Sequence, residues 1–194
     1  MLESLRRPDW LDELRRLLGI AVVLSGIGTA VSTVAVLAGR PVEVTVAGSA
    51  LALPALPAGV SAADGIPLRL DDPTAAQRGW ELLSTLPGYA LLTLALVLLW
   101  RLTGQARRGD PFTVDVARRL RRLGLLLVAA GPIVWVTEFL GDFALSAGAD
   151  TGGVYATLDL TAPAAWALAG FGALAVGEIV RRGQAMRVEL DGVV

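Results

Sequence analysis

Two carboxylates, Glu138 and Asp142, stand four residues apart inside the apolar run VWVTEFLGDFAL. At helical spacing they share a face with Trp135, three residues before Glu138. Carboxylates within a membrane are costly and ordinarily face a bundle interior or water. Two chemistries fit the pair: a proton or cation site made of both acids, or a hydrogen-bonded helix contact near the interface. The second is preferred, because Asp142 falls close to one membrane surface. The first is kept as the alternative of a small carrier or proton-coupled element. A third acid, Glu178, precedes Arg181 and Arg182 and reads as an i, i+3 and i, i+4 ion pair at a helix end.

The opposite charge gathers in residues 107–124, RRGDPFTVDVARRLRRLG, where Arg107, Arg108, Arg118, Arg119, Arg121 and Arg122 crowd one connection. From Arg101 to Arg122 the net charge is +5. Gly109, Asp110 and Pro111 form a turn signal ahead of Phe112, and Thr113 is placed to cap a helix with Asp115 in its first turn. Val116, Leu120 and Leu123 then fall on one side, giving a cationic amphipathic helix expected to lie along a leaflet before entering the membrane. Each such arginine is worth about 1 kcal/mol at an anionic surface, so lipid alone suffices to hold it there. No aromatic interleaving or helix-turn-helix pattern accompanies the charge, and no direct nucleic-acid binding is expected.

Other chemistries are missing their reagents. The chain has no His, Cys, Lys or Asn, which removes zinc and haem ligation, thiol nucleophiles, Schiff-base chemistry and a P-loop lysine. Ser25, Thr29, Ser32 and Thr33 are better explained as hydroxyls bonding to their own backbone than as nucleophiles. No enzyme activity, cofactor or metal site is expected. Without Cys there are no disulfides from which to read a redox compartment.

The elements that must position these residues are spans. Hydrophobic residues make up 54% of 194 and mean hydropathy is +0.61, too apolar for an ordinary soluble domain. A spanning helix needs about 20 apolar residues, and four windows qualify: 17–38, 82–100, 123–145 and 160–180. Trp80 and Trp100 bracket the second, roughly 30 Å apart along a helix. Segment 1–16 precedes the first window. Its stretch DWLDELRRLL puts Trp10, Leu11, Leu14, Leu17 and Leu18 on one face and is expected to form an interfacial helix. A retained first span is preferred over a cleaved signal peptide, since the apolar run is long for a signal core. Of the seventeen arginines, all but Arg40, Arg69 and Arg78 fall in segment 1–16, the connection 101–122 or the tail 181–194. Arginine is held back from export, so both termini and the middle connection are expected in the cytoplasm.

The segment 39–81 changes character. VEVTV alternates with period two and is followed by AGS and ALAL, which reads as a β-hairpin with IPLRL as a third strand. Pro54, Pro57 and Pro67 confine these strands to edges or ends. A lone hairpin is barely stable, so it is expected to rest on the helix ends. A compact linker is preferred over a sensing cap. The second outer connection, 146–159, reads as a plain turn and matches no calcium loop. Small residues at Gly26 and Ala30, and at Ala169, Ala173 and Gly177, are expected to let helices approach closely. Pro132 and Pro87-Gly88 are expected to kink their helices.

RRGDPFTVDVARRLRRLGLLL followed by EIVRRGQAMRVELDGVV resembles the small bacterial four-span membrane proteins of domain of unknown function 2975. The resemblance is carried by Gly109, Pro111, Phe112, Leu120, Gly124, Glu178 and Gly183. It implies a regulatory membrane partner for a cytoplasmic protein, of the helix-turn-helix kind encoded beside such proteins. The expected architecture is therefore an all-α integral membrane protein, a four-transmembrane-helix bundle with a small extracytoplasmic β-hairpin segment between helices 1 and 2. It sits in the bacterial plasma membrane. Its expected partners are anionic inner-leaflet lipids and a cytoplasmic regulatory protein, with homo-oligomers left open.

Overall fold

The computed structural model describes residues 10–46, 66–106, 114–148 and 159–191. In chain order these form α1 (Trp10–Leu37), β1 (Val42–Val46), β2 (Ile66–Leu70), α2 (Ala75–Ala106), α3 (Val114–Gly148) and α4 (Thr161–Asp191). All four helices are long and apolar enough to cross a membrane. In α1, only 6% of the most apolar window is buried within the protein. Leu17, Ile20, Leu24, Ile27, Val31 and Val34 all lie uncovered along it, a pattern that water penalises and lipid does not. The chain is a multi-pass helical membrane protein.

The helices overrun their apolar windows. At 35 residues α3 is roughly 52 Å long, against a hydrocarbon core of about 30 Å. Its arginine-bearing first turns are continuous with its spanning part. The cationic helix expected ahead of the third span is thus present from Val114 and runs on into that span without a break. Val116, Ala117, Leu120 and Leu123 are buried, because α4 offers Gly177 opposite Leu120 and Ala117. The helix expected near the N-terminus is likewise continuous with the first span, as the opening turns of α1. Arginine, leucine and alanine are good helix formers, so nothing in either stretch stops the helix where the hydropathy falls. Pro87 and Pro132 both lie inside continuous helices.

The chain divides into two compact units, 1–27 with 91–131 and 163–194, and 28–90 with 132–162. In the first, α1 meets α2 where Gly19 faces the Trp100 indole. Arg15 lies 5.3 Å over that ring, so Trp100 is a packing residue as much as the interfacial marker its spacing implied. The Ser25 and Thr93 hydroxyls are 2.7 Å apart. α3 meets α4 through Gly124 and Gly170. Of the expected Ala169–Ala173–Gly177 stripe, Gly177 packs against Leu120 and Ala117, whereas Ala169 is exposed and Gly170 is the other buried small position of α4. Gly26 on α1 faces open space, so the Gly26–Ala30 pair packs against nothing described.

In the second unit β1 and β2 form a two-stranded antiparallel sheet in register Val42↔Leu70, Val44↔Leu68 and Val46↔Ile66. The partner of VEVTV is IPLRL; the expected arm ALAL, residues 50–53, lies outside the described residues. Pro67 is tolerated because each strand of such a pair is an edge. Period-two alternation turns Val42 and Val44 inward, onto Leu145 near the end of α3, with Leu68 and Leu70 alongside. α1 is closed ahead of the sheet by a Schellman motif. Arg40 N–H donates to Ala35 O at 3.0 Å and Gly39 N–H to Val36 O at 3.2 Å, with Gly39 at φ +87°.

Candidate functional site

The arginine-rich site belongs to the first unit. Arg107, Arg108, Gly109, Asp110, Pro111, Phe112 and Thr113 lie outside the described residues. α3 begins at Val114, with Asp115 in its first turn and its carboxylate 3.3 Å from Arg118. Arg118, Arg119, Arg121 and Arg122 are all exposed, spread around the polar side of a helix whose other side is locked by buried leucines. Among the described residues Arg119, Arg121 and Arg122 make no ion pair. A rigid helix thus holds three uncompensated guanidiniums within about one turn.

Those arginines divide between two grooves. One, of about 610 Å³, takes Arg118 and Arg121 from α3, with Glu178 and Arg181 from α4. Glu178 sits there as expected: both Arg181 nitrogens bond it, at 2.6 and 2.8 Å, and Arg182 at 2.9 Å. Its acid engages Arg181 and Arg182 of α4, Asp115 engages Arg118, and Arg121 has no ion pair among the described residues. The other groove, of about 400 Å³, takes Arg118, Arg119 and Arg122 from α3 and Arg101 from α2. Arg101 was legible as a basic loop residue, but only α2's continuation as helix to Ala106 brings it opposite α3.

The carboxylate site belongs to the second unit. Glu138 reaches the backbone N–H of Gly88, and its carboxylate occupies the space that a Cβ on Gly88 would take. Asp142 lies within hydrogen-bonding reach of the Ser84 hydroxyl. Between them Gly141 lets the two backbones close up, since a Cβ there would lie 2.7 Å from the Ser84 nitrogen and 2.8 Å from the Trp80 carbonyl oxygen. Trp135, on the same helix face, makes contacts of its own. It stacks on Phe139, ring centres 6.1 Å apart, and its indole N–H donates to the Asp159 carbonyl at 2.6 Å.

Sequence reading missed Glu81, which lies within electrostatic range of Asp142, Arg40 and Glu43. The signal was present, because Glu81, Ser84 and Gly88 share a helical face at i, i+3 and i+7. Ending the outer segment at residue 81 hid it. Among the described residues no group of three or more His, Cys, Asp or Glu side chains is arranged to hold a metal ion.

Asp159 opens α4. Thr161 donates to its carboxylate from the backbone N–H at 2.8 Å and from the hydroxyl at 2.7 Å. These bonds, the backbone one first, hold its pKa below the usual aspartate value.

A family model described as Protein of unknown function (DUF2975) matches residues 69–194, from β2 to the end of the chain. No curated protein matches, and no solved structure does.

Proposed function

We propose, from the premise that this chain belongs to the DUF2975 family of proteins of unknown function, that it is a non-enzymatic regulatory partner of a cytoplasmic protein in the bacterial plasma membrane. The arginine-rich helix ends and both termini face the cytoplasm, where Arg118, Arg119, Arg121 and Arg122 hold the partner against an anionic leaflet. The observation that carries this reading is the exposure of Arg119, Arg121 and Arg122 on α3, which no acid among the described residues neutralises. A rigid display of guanidiniums suits recognition of acidic surfaces. The resemblance adds that the partner is a helix-turn-helix regulator.

Pull-down from membranes with the four arginines intact, and with all four changed to Gln, tests the reading. Loss of a specific cytoplasmic protein in the Gln variant supports it; identical recovery removes it.

A second reading, a small proton-coupled carrier, is favoured by one observation: Glu138 meets Gly88 next to Pro87, and Asp142 meets Ser84 one turn away. Proton uptake by proteoliposomes that is abolished in Glu138→Gln would support it. Tight vesicles with no uptake at any gradient would end it.

A further inference from the structure

We infer that the groove between the last turns of α2 and the first turns of α3 binds the phosphate headgroup of an anionic phospholipid, with an acyl chain running along its floor. This deepens the lipid contact of the reading above, and it rests on that reading only in taking this end of the helices to lie at a membrane surface.

The groove has about 400 Å³, within the range of small-ligand sites. Its rim carries Arg101 from α2 and Arg119 and Arg122 from α3, none of them in an ion pair among the described residues. Asp115, on the same rim, is engaged by Arg118 at 3.3 Å. Three guanidiniums converging on one opening repel one another until an anion joins them, and their forked donors match phosphate oxygens. The larger groove beside α4 lacks this property, because Glu178 already takes Arg181 and Arg182.

Charge alone does not separate a lipid from free phosphate or an acidic protein segment. Depth does. The two helices run in opposite senses past the groove, yet each becomes apolar in the same direction. On α2 Leu98 lies one turn before Arg101; on α3 Leu126 lies one turn after Arg122. Both leucines line the groove and sit about 5 Å deeper toward the spanning part than the arginines. Leu123, between them, is buried at 3% exposure. A water-soluble anion uses only the rim, and a soluble protein cannot follow Leu98 and Leu126 into the hydrocarbon. A molecule with an anionic head and an apolar chain covers both. Basic pockets between spanning helices are where such headgroups bind.

The test is native mass spectrometry of the full chain in detergent, titrated with dioleoyl-phosphatidylglycerol or dioleoyl-phosphatidylcholine, with circular dichroism to check folding. The groove variant Arg119→Gln/Arg122→Gln is expected to weaken phosphatidylglycerol retention about thirtyfold. The charge-matched control Arg16→Gln/Arg182→Gln, at two residues that line neither arginine-rich groove, is expected to retain it. Leu126→Trp keeps every charge and fills the floor, and is expected to lose the lipid; it decides the matter if the double variant does not fold. Retention by Leu126→Trp overturns the proposal, as does displacement of the lipid by inorganic phosphate. Equal losses in the groove variant and the control mean diffuse charge attraction only, which overturns the groove and leaves the proposed function standing. No preference for phosphatidylglycerol overturns the groove, while the pull-down still decides the protein-partner reading on its own.

Discussion

Gly124 on α3 and Gly170 on α4 are mutually exclusive of any side chain. A Cβ on Gly124 would lie 2.7 Å from the Gly170 carbonyl oxygen, and a Cβ on Gly170 would lie 2.9 Å from the Gly124 carbonyl oxygen. Leu174 Cγ and Val128 Cγ2 would each lie 2.6 Å from the respective Cβ, and the two carbonyls are backbone, which cannot yield as a flexible side chain does. Close backbone approach of this kind supplies van der Waals contact that lipid tails cannot outcompete.

Gly124→Ala and Gly170→Ala should therefore each destabilise by about 1–3 kcal/mol, the usual range for overpacking. Gly26→Ala is the control, because nothing lies within 4 Å of its added methyl. It should be neutral, or stabilising by up to about 1 kcal/mol through helix propensity. Unfolding midpoints in detergent micelles compare the three; equal shifts at Gly26 and Gly124 would contradict the packing described.

The Ser25 and Thr93 hydroxyls, 2.7 Å apart between α1 and α2, lie in apolar windows where water is scarce. Interhelical hydrogen bonds in membranes are nonetheless modest, averaging about 0.6 kcal/mol in double-mutant cycles. A cycle of Ser25→Ala and Thr93→Val should return a coupling of that order. Zero coupling would mean that the two hydroxyls meet other partners.

Hydropathy made the spans legible, because twenty apolar residues have few other uses, and period two made β1 legible as a strand. Helix ends were less so: α4 runs on through Gly183 to Asp191 with no proline after Val180, and hydropathy reports where lipid stops rather than where a helix does. Contact faces were the least legible. Ala169 and Gly170 differ by 100° around α4, and choosing between them requires knowing where α3 lies. The same gap hid Glu81. The basic site was legible in composition, since the arginines are contiguous. Its grooves were not, since one depends on Arg101 of α2 and the other on Glu178 and Arg181 of α4 standing across from α3.

Gly39 is the one described glycine in the left-handed region, at φ +87°, and the Arg78 guanidinium would lie 3.2 Å from an added Cβ. Gly39→Ala should cost about 1–2 kcal/mol, the usual penalty for an L residue in that conformation. Gly39→Asn should cost less, since Asn tolerates this C-cap position. The thermal midpoint orders the three proteins; an Ala variant as stable as the wild type would contradict the Schellman ending of α1.

The Asp159 cap supplies a pH prediction. Its carboxyl is held below the ordinary value of 3.8 by the Thr161 N–H and hydroxyl, so folding favours the charged form. Its contribution is complete above the unfolded value and is lost as pH falls through the lowered folded value. The stability difference between wild type and Asp159→Ala should therefore be flat from neutral pH down to about 4 and shrink below it. Asp159→Asn should keep part of the cap and flatten the dependence. A difference that grows on acidification would contradict the cap.

Orientation is the prediction on which the functional reading most depends, and the absence of natural cysteine makes it cleanly testable. Gln105, at the end of α2, and Asp72, just after β2, are both exposed and lie at opposite ends of the spanning part of α2. The four-span topology expected from the sequence groups fourteen of the seventeen arginines with Gln105, and the arginine bias predicts that this side is cytoplasmic. A membrane-impermeant maleimide applied to intact cells should label Asp72→Cys directly and Gln105→Cys only after permeabilisation. The reverse pattern would put the basic grooves outside, beyond the reach of any cytoplasmic regulator, while leaving a phospholipid in the groove between α2 and α3 still open to the outer leaflet.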